Sequence, residues 1–175
     1  MLCVLCGLCV LCVSACGSAN PFRPYEYEED VYLSLDGSAT VYVNSSLVAL
    51  DALRGAAFDI NPTAPFDRDA VREYYSSPLT HVVWVRSSRR NNRRFAHLRI
   101  DVDDVNRLST VPPFAWSTYE FRRQEDRFVF KQTIGAAAAK DVGRIAWTGR
   151  EPVAFRLHLP SKITFHDNGG QTRRG

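Results

Sequence analysis

The sequence predicts an α+β domain: an antiparallel sheet built from consecutive hairpins, with two or three short helices packed on one face. Three observations carry this expectation. Runs of β-branched and aromatic residues alternate between apolar and polar positions. Turn signals at Asp36-Gly37, Asn91-Asn92 and Glu125-Asp126 separate these runs in pairs, and strands joined by tight turns pair antiparallel. The helical patterns are short and scattered among the strands, which argues against a doubly wound parallel sheet.

Residues 25–35 read as the first strand. Tyr25, Tyr27, Val31, Leu33 and Leu35 fall on one face, and Glu26, Glu28 and Asp30 on the other. Asp36-Gly37 reads as a two-residue type I′ turn, and Ala39, Val41 and Val43 continue the apolar face on the return strand. Ser45 or Ser46 caps a helix over 47–54 that Gly55 closes, with Leu47, Leu50 and Leu53 sharing a side. A loop with Pro62 and Pro65 leads to Asp67, the N-cap of a second helix over 68–75, and Pro78 stops it.

Residues 79–87 and 95–102 form a second hairpin with Asn91-Asn92 at its tip and Ala96, Leu98, Ile100 and Val102 inward. Asp103 or Asp104 caps a short helical turn over 105–108, which Pro112-Pro113 breaks. Residues 116–123 and 127–134 make a third hairpin. The Ala-rich stretch 135–144 reads as a helix or an adaptable loop. Two last strands, 153–159 and 162–165, are separated by Pro160.

The chain has 175 residues, 45% hydrophobic and 23% charged, a composition that excludes wholesale disorder. Its charge is polarised. Residues 20–75 hold ten acids against four Arg, and residues 76–175 hold eighteen bases against nine acids. Such a molecule can turn one face to an anionic surface, or its halves can neutralise each other by packing together.

All five cysteines lie in the first 16 residues, at Cys3, Cys6, Cys9, Cys12 and Cys16, so the body of the chain forms no internal disulfide. The residues between them are small and apolar, without His or acid, which fits an export segment and not a metal site. Residues 2–13 are an uncharged apolar stretch of signal-core length, short for a membrane span. Val13-Ser14-Ala15-Cys16-Gly17 then resembles the lipobox of bacterial lipoproteins. Residues 1–16 are therefore expected to be a lipoprotein-type signal cleaved before Cys16, the lipidated residue. Cleavage before Asn20, giving a secreted protein, and an uncleaved anchor are the alternatives. Residues 20–24 form a tether, 25–170 one ectodomain, and 171–175 a polar tail at which the chain reads as truncated.

The lipobox-like VSAC, the acidic strand YEYEEDVYLSLDGSATVYV, the SSLVALDAL helix and the late FRLHLPSKITFHDN segment together resemble the LppM-type bacterial lipoprotein domain family. The resemblance covers the pattern of elements over most of residues 16–170. It implies a membrane-anchored α+β ectodomain with envelope or lipid-related roles and no established enzyme chemistry.

Candidate chemistry is sparse. Asp101 and Asp103 share a strand face, but a lone pair supplies too few oxygens for Ca²⁺. His81 and His97 are placed to face one another across the second hairpin, without a nucleophile and orienting acid of recognisable motif. Neither a catalytic residue, a metal ligand nor a cofactor is assigned. Arg86, Arg89, Arg90, Arg93 and Arg94 cluster at the second hairpin tip, where guanidinium forks suit phosphates or other anions. A tip buries little, so these side chains are expected to be dispensable for folding. Ten aromatic residues (Tyr25, Tyr27, Tyr32, Tyr42, Phe95, Trp116, Tyr119, Phe121, Phe128 and Phe130) fill the core or line a lipid-holding cavity.

The functional expectation is an exported, noncatalytic cell-envelope lipoprotein, held to the membrane by its N-terminal lipid. It would bind a lipid, an anionic glycan or an envelope protein; nucleic acid is not expected beyond an export signal. A structural assembly module without a ligand is the alternative, and a weakly signposted hydrolase the second.

Overall fold

In the computed structural model, residues 25–138, 141–143 and 147–167 are described. The expected export segment with Cys16, the expected tether at 20–24 and the tail at 171–175 lie outside the described residues.

The fold is α+β. Five strands form one mixed sheet in the order β3-β4-β2-β1-β7, and two more form a separate hairpin sheet. Strands β1 (Tyr27–Leu33) and β2 (Ala39–Ser46) pair antiparallel, as do β2 and β4 (Arg93–Val102), and β4 and β3 (Thr80–Arg90). Period-two alternation places Val31, Val41, Val43, Leu98 and Ile100 on one face, each at most 1% exposed. Helices α1 (Leu47–Arg54) and α2 (Arg68–Tyr75) have the bounds their caps predict. Ser46 Oγ accepts from the Ala49 N–H at 3.1 Å, and Asp67 Oδ1 accepts from the Ala70 N–H at 2.9 Å. Gly55, at φ 67°, closes α1 with its N–H on the Asp51 carbonyl. Asp104 caps a 3-10 helix, Val105–Thr110, and a second one, Pro112–Phe114, follows.

The structure departs from the expected ladder of hairpins in three places. First, β7 (Val153–His158) pairs parallel to β1, a strand more than a hundred residues earlier. A parallel partner needs a crossover connection, and the stretch after residue 134 is long enough to supply one. Phe155 and Leu157 thereby turn towards the core. Second, β5 (Ser117–Gln124) and β6 (Arg127–Ile134) pair only with each other. Ser117 and Tyr119 root this hairpin in the core, while its Arg-rich tip is exposed. Third, residues 162–167 carry no regular structure, so the last expected strand is absent there. No helix or strand occurs at 135–138 either, the described start of the Ala-rich stretch.

The first turn also differs. Gly37 has φ 89°, but Asp36 is not at positive φ. The Gly37 N–H bonds the Ser34 carbonyl, and the Ser34 N–H bonds the Ser38 carbonyl. This is a three-residue loop, a type I turn closed by a left-handed glycine. Asp36 instead accepts from Ser38 through both its N–H and its Oγ–H, which hold the Asp36 carboxyl below the usual range. The two-residue turn with both central residues at positive φ is Asn91-Asn92, at 49° and 58°.

A buried ion pair sits beneath the sheet. Glu29 belongs to the core-facing set of β1 and is 1% exposed. Its carboxylate accepts from Tyr27 Oη at 2.7 Å and Tyr119 Oη at 3.1 Å, and Arg54 Nη2 lies 3.4 Å away. The Arg54 guanidinium is sandwiched between rings, 4.2 Å from the Tyr27 centroid and 3.1 Å from that of Trp116. Burial, then the Glu29 charge, push the Tyr27 and Tyr119 phenols upward, so both stay neutral and donate.

Candidate functional site

Both helices pack on the core side of the sheet, and no described helix or strand covers the other side. What that open face presents is set by alternation and by one bulge. Between Val82 and Trp84 the register of β3 against β4 shifts, with Val83 as the extra residue. The bulge reverses the parity of the strand. His81 and Trp84 therefore share the open face, followed by Arg86, Ser88 and Arg90.

Four rings run in a stripe across this face. His158 of β7 stacks on Tyr32 of β1 with centroids 4.0 Å apart and planes within 3°. Tyr32 meets Tyr42 of β2 edge-on at 5.6 Å, and Tyr42 meets Trp84 of β3 at 6.2 Å. Arg99 of β4 lies between the last two, paired in register with both Tyr42 and Trp84. Tyr32, Thr40, Tyr42 and Arg99 line a shallow depression of about 400 Å³. The stripe crosses four interstrand spacings, about 19 Å.

Several charged groups on the face are paired. Arg156 donates to Glu28 Oε1 at 2.9 Å and to Asp30 Oδ2 at 3.3 Å, and these carboxylates raise its pKa. His158 Nε2 lies 3.1 Å from Asp30 Oδ1. Asp101 accepts from Thr40 Oγ1 at 3.0 Å and lies 3.4 Å from Arg99 Nη2. Arg86 extends over the Trp84 ring at 4.9 Å.

The arginine cluster does not form one patch. Alternation sends Arg86, Arg90 and Arg93 to the open side and Arg89 and Arg94 to the helix side. Arg94 is 4% exposed and donates to the Pro65 and Asp59 carbonyls, clamping the loop before α2. Arg93 pairs with Glu26 at 3.0 Å and Glu151 at 3.7 Å. Arg90 donates to the Tyr25 carbonyl at 2.6 Å and covers the Phe95 ring at 4.2 Å. Arg89 reaches the Ala64 carbonyl at 3.4 Å. The expectation that this tip is dispensable for folding is therefore wrong for Arg93 and Arg94. Long hairpin strands bring the tip back against three other segments, and local sequence does not encode those contacts.

The expected His81–His97 pair does not form. His81 opposes Asp101, and His97 opposes Arg86. His81 lies 3.5 Å from Asp103. His97 is held between neighbours: Nδ1 lies 2.9 Å from Asn44 Oδ1, and Nε2 lies 2.8 Å from Ser88 Oγ. An amide oxygen accepts only, so Nδ1 carries the proton and Nε2 accepts from the serine. Burial, then the Arg90 charge, lower the His97 pKa and keep the ring neutral. Among the described residues no group of three or more His, Cys, Asp or Glu gathers to hold a metal, and no helix is long and apolar enough to cross a membrane.

The aromatic residues divide by face. Tyr27 and Tyr119 are buried on the core side, Phe95 is buried on the opposite side beneath Arg90, Tyr32 and Tyr42 belong to the open stripe, and Phe121 stacks on Phe128 along the separate hairpin at 5.4 Å. Sequence reasoning missed the stripe because Trp84 falls on the core parity of β3 until the bulge is counted. No family model matches the chain, and no curated protein matches it.

Proposed function

We propose that the protein is an exported, noncatalytic cell-envelope lipoprotein, anchored through Cys16, whose open sheet face holds a glycan chain. The observation that carries the reading is the stripe of His158, Tyr32, Tyr42 and Trp84, with polar groups on either side. Tyr32 is 44% exposed although it sits in the middle of a sheet. Exposed aromatic area of this kind marks binding surfaces more often than chance. Flat rings offer stacking surface to sugar C–H faces, and Asn44, Thr40, Asp101 and Arg99 offer hydrogen bonds beside them. The apolar, Cys-rich start and the VSAC run support export and lipidation. The order of elements supports the LppM-like family as the lineage.

The test is cosedimentation of the full-length chain with insoluble cell-wall glycan. Tyr32→Ala combined with Trp84→Ala should remove most of the bound fraction while leaving the thermal midpoint nearly unchanged. Arg89→Ser should leave binding intact. Equal sedimentation of the double variant and the parent sinks the glycan reading.

One observation favours a second reading, a hydrolase. Ser88, His97 and Asn44 are linked as nucleophile, base and orienting group, with the base neutral. The cations on either side of Ser88 are Arg86 and Arg90, but Arg90 is committed to Tyr25 and Phe95, leaving the oxyanion requirement weakly met. Covalent labelling by a fluorophosphonate probe that disappears in Ser88→Ala would establish this second reading. An unlabelled parent chain removes it.

A further inference from the structure

We infer that the depression lined by Tyr32, Thr40, Tyr42 and Arg99 is a subsite for a sugar unit that carries a carboxylate, with Arg99 as its counter-charge. This rests on the glycan reading and goes one step further, to the chemical class of the sugar.

Arg99 is the cation that lines the depression, and among the described residues it is only partly compensated. Its side chain is 39% exposed, and its one carboxylate neighbour, Asp101, is at 3.4 Å. That carboxylate is shared with the Thr40 hydroxyl at 3.0 Å. Arg99 Nε is buried and has no hydrogen-bond partner among the described residues. By contrast, Arg156 contacts two carboxylates, and Arg93 two more. A guanidinium has five donors in a planar fork that fits a carboxylate with two parallel bonds. Arg99 therefore retains donors for an incoming anion, at the floor of a depression whose walls are two phenol rings.

The rings decide what kind of anion. Tyr32 and Tyr42 meet edge-on at 5.6 Å, so a flat face and a ring edge both border the depression. A ligand that uses them needs a saturated ring or a comparable apolar face beside its charge. A bare carboxylate, such as an acidic peptide side chain, leaves the rings idle.

The surrounding charges decide against a polyphosphate chain. Glu28, Asp30 and Asp101 lie on the same face, and a strand with one charge per nucleotide would have to pass all three. A polysaccharide with carboxylates on alternate sugar units can place one on Arg99 and run its neutral units past the acids. Its hydroxyls can also donate to those carboxylates.

Isothermal titration of the full-length chain provides the test, with three probes. A hyaluronan oligosaccharide carries sugar rings with a carboxylate on alternate units. Its methyl ester keeps the rings and masks the charge. Polyglutamate carries the charge without the rings. The acid form should bind about tenfold more tightly than the ester, the worth of one charge-assisted contact. Arg99→Gln should bring acid and ester to equal affinity, with the thermal midpoint unchanged. Tyr42→Ala should weaken acid and ester together. Equal binding of acid and ester, loss of both in Arg99→Gln, or polyglutamate binding as tightly as the hyaluronan oligosaccharide each overturns the subsite. Those outcomes leave the glycan reading standing if Tyr42→Ala still weakens the ester. Binding of none of the three probes overturns the subsite, and the cell-wall experiment then judges the wider reading by itself.

Discussion

Replacing Arg54 by Met tests the least expected feature of the core. The substitution keeps a long apolar stem against the Tyr27 and Trp116 rings and removes the charge. Both side chains of the pair are at most 1% exposed, so Glu29 is left inside with only the Tyr27 and Tyr119 hydroxyls. At 3.4 Å, two unit charges attract by about 5 kcal/mol at an effective dielectric of 20. Removing one partner of a buried pair costs about 3–5 kcal/mol by direct measurement in other proteins. Against a total stability of about 5–15 kcal/mol, this takes about a fifth or more. Pairing Arg54→Met with Glu29→Gln removes both charges, and the amide keeps an acceptor for one phenol while its N–H faces the oxygen of the other. That double variant should recover to within about 2 kcal/mol of the parent, since desolvating the pair is itself costly. Urea unfolding followed by tryptophan fluorescence measures all three proteins, and unchanged m-values would license comparison of midpoints. A single variant within 1 kcal/mol of the parent, or a double variant no more stable than the single, refutes the reasoning.

Gly37→Val should destabilise by about 1–3 kcal/mol, because φ 89° strains a β-branched residue; an unmoved denaturation midpoint would overturn the turn assignment. Arg94→Ser should lower stability by about 1–3 kcal/mol by stranding the Pro65 and Asp59 carbonyls, whereas Arg89→Ser should not, and thermal melts of both decide. His97 has a folded pKa below its ordinary value, so its stabilising contribution is complete above about pH 6.5 and declines as pH falls towards the lowered value. Urea midpoints of the parent should therefore fall between pH 7 and 5.5, and less so in His97→Gln; parallel curves would contradict the assignment. Cys16→Ala should abolish metabolic lipid labelling and membrane pelleting, and unchanged labelling would remove the anchor.

Elements governed by local chemistry were legible in the sequence. Ser46, Gly55 and Asp67 mark the helix ends because capping uses only neighbouring backbone groups. Hairpins two and three were legible from Asn91-Asn92 and Glu125-Asp126 for the same reason. Long-range choices were not. Nothing in residues 153–158 states that their partner is β1 or that the pairing is parallel. Glu29 reads as one more acid in an acidic run, and its burial depends on Arg54, Tyr119 and Trp116 arriving from three other segments. The arginine run looked like a single patch because sequence shows proximity along the chain, whereas a hairpin sends alternate residues to opposite faces. A single unflagged residue, Val83, decided which side Trp84 would take.

The parallel pairing of β1 with β7 governs when the sheet can be completed. Asp30 and Arg156 are 126 residues apart, so this closure has a large loop entropy to overcome and cannot precede the appearance of most of the chain. Hairpins β1–β2 and β3–β4 close locally and early. During synthesis from the N-terminus, the outer edge of β1 stays unpaired until residues 153–158 arrive. That edge offers free N–H and C=O groups next to the apolar side chains of Val31 and Leu33, a template for pairing with another chain. The acids Glu28 and Asp30 along the waiting strand repel a second copy of it.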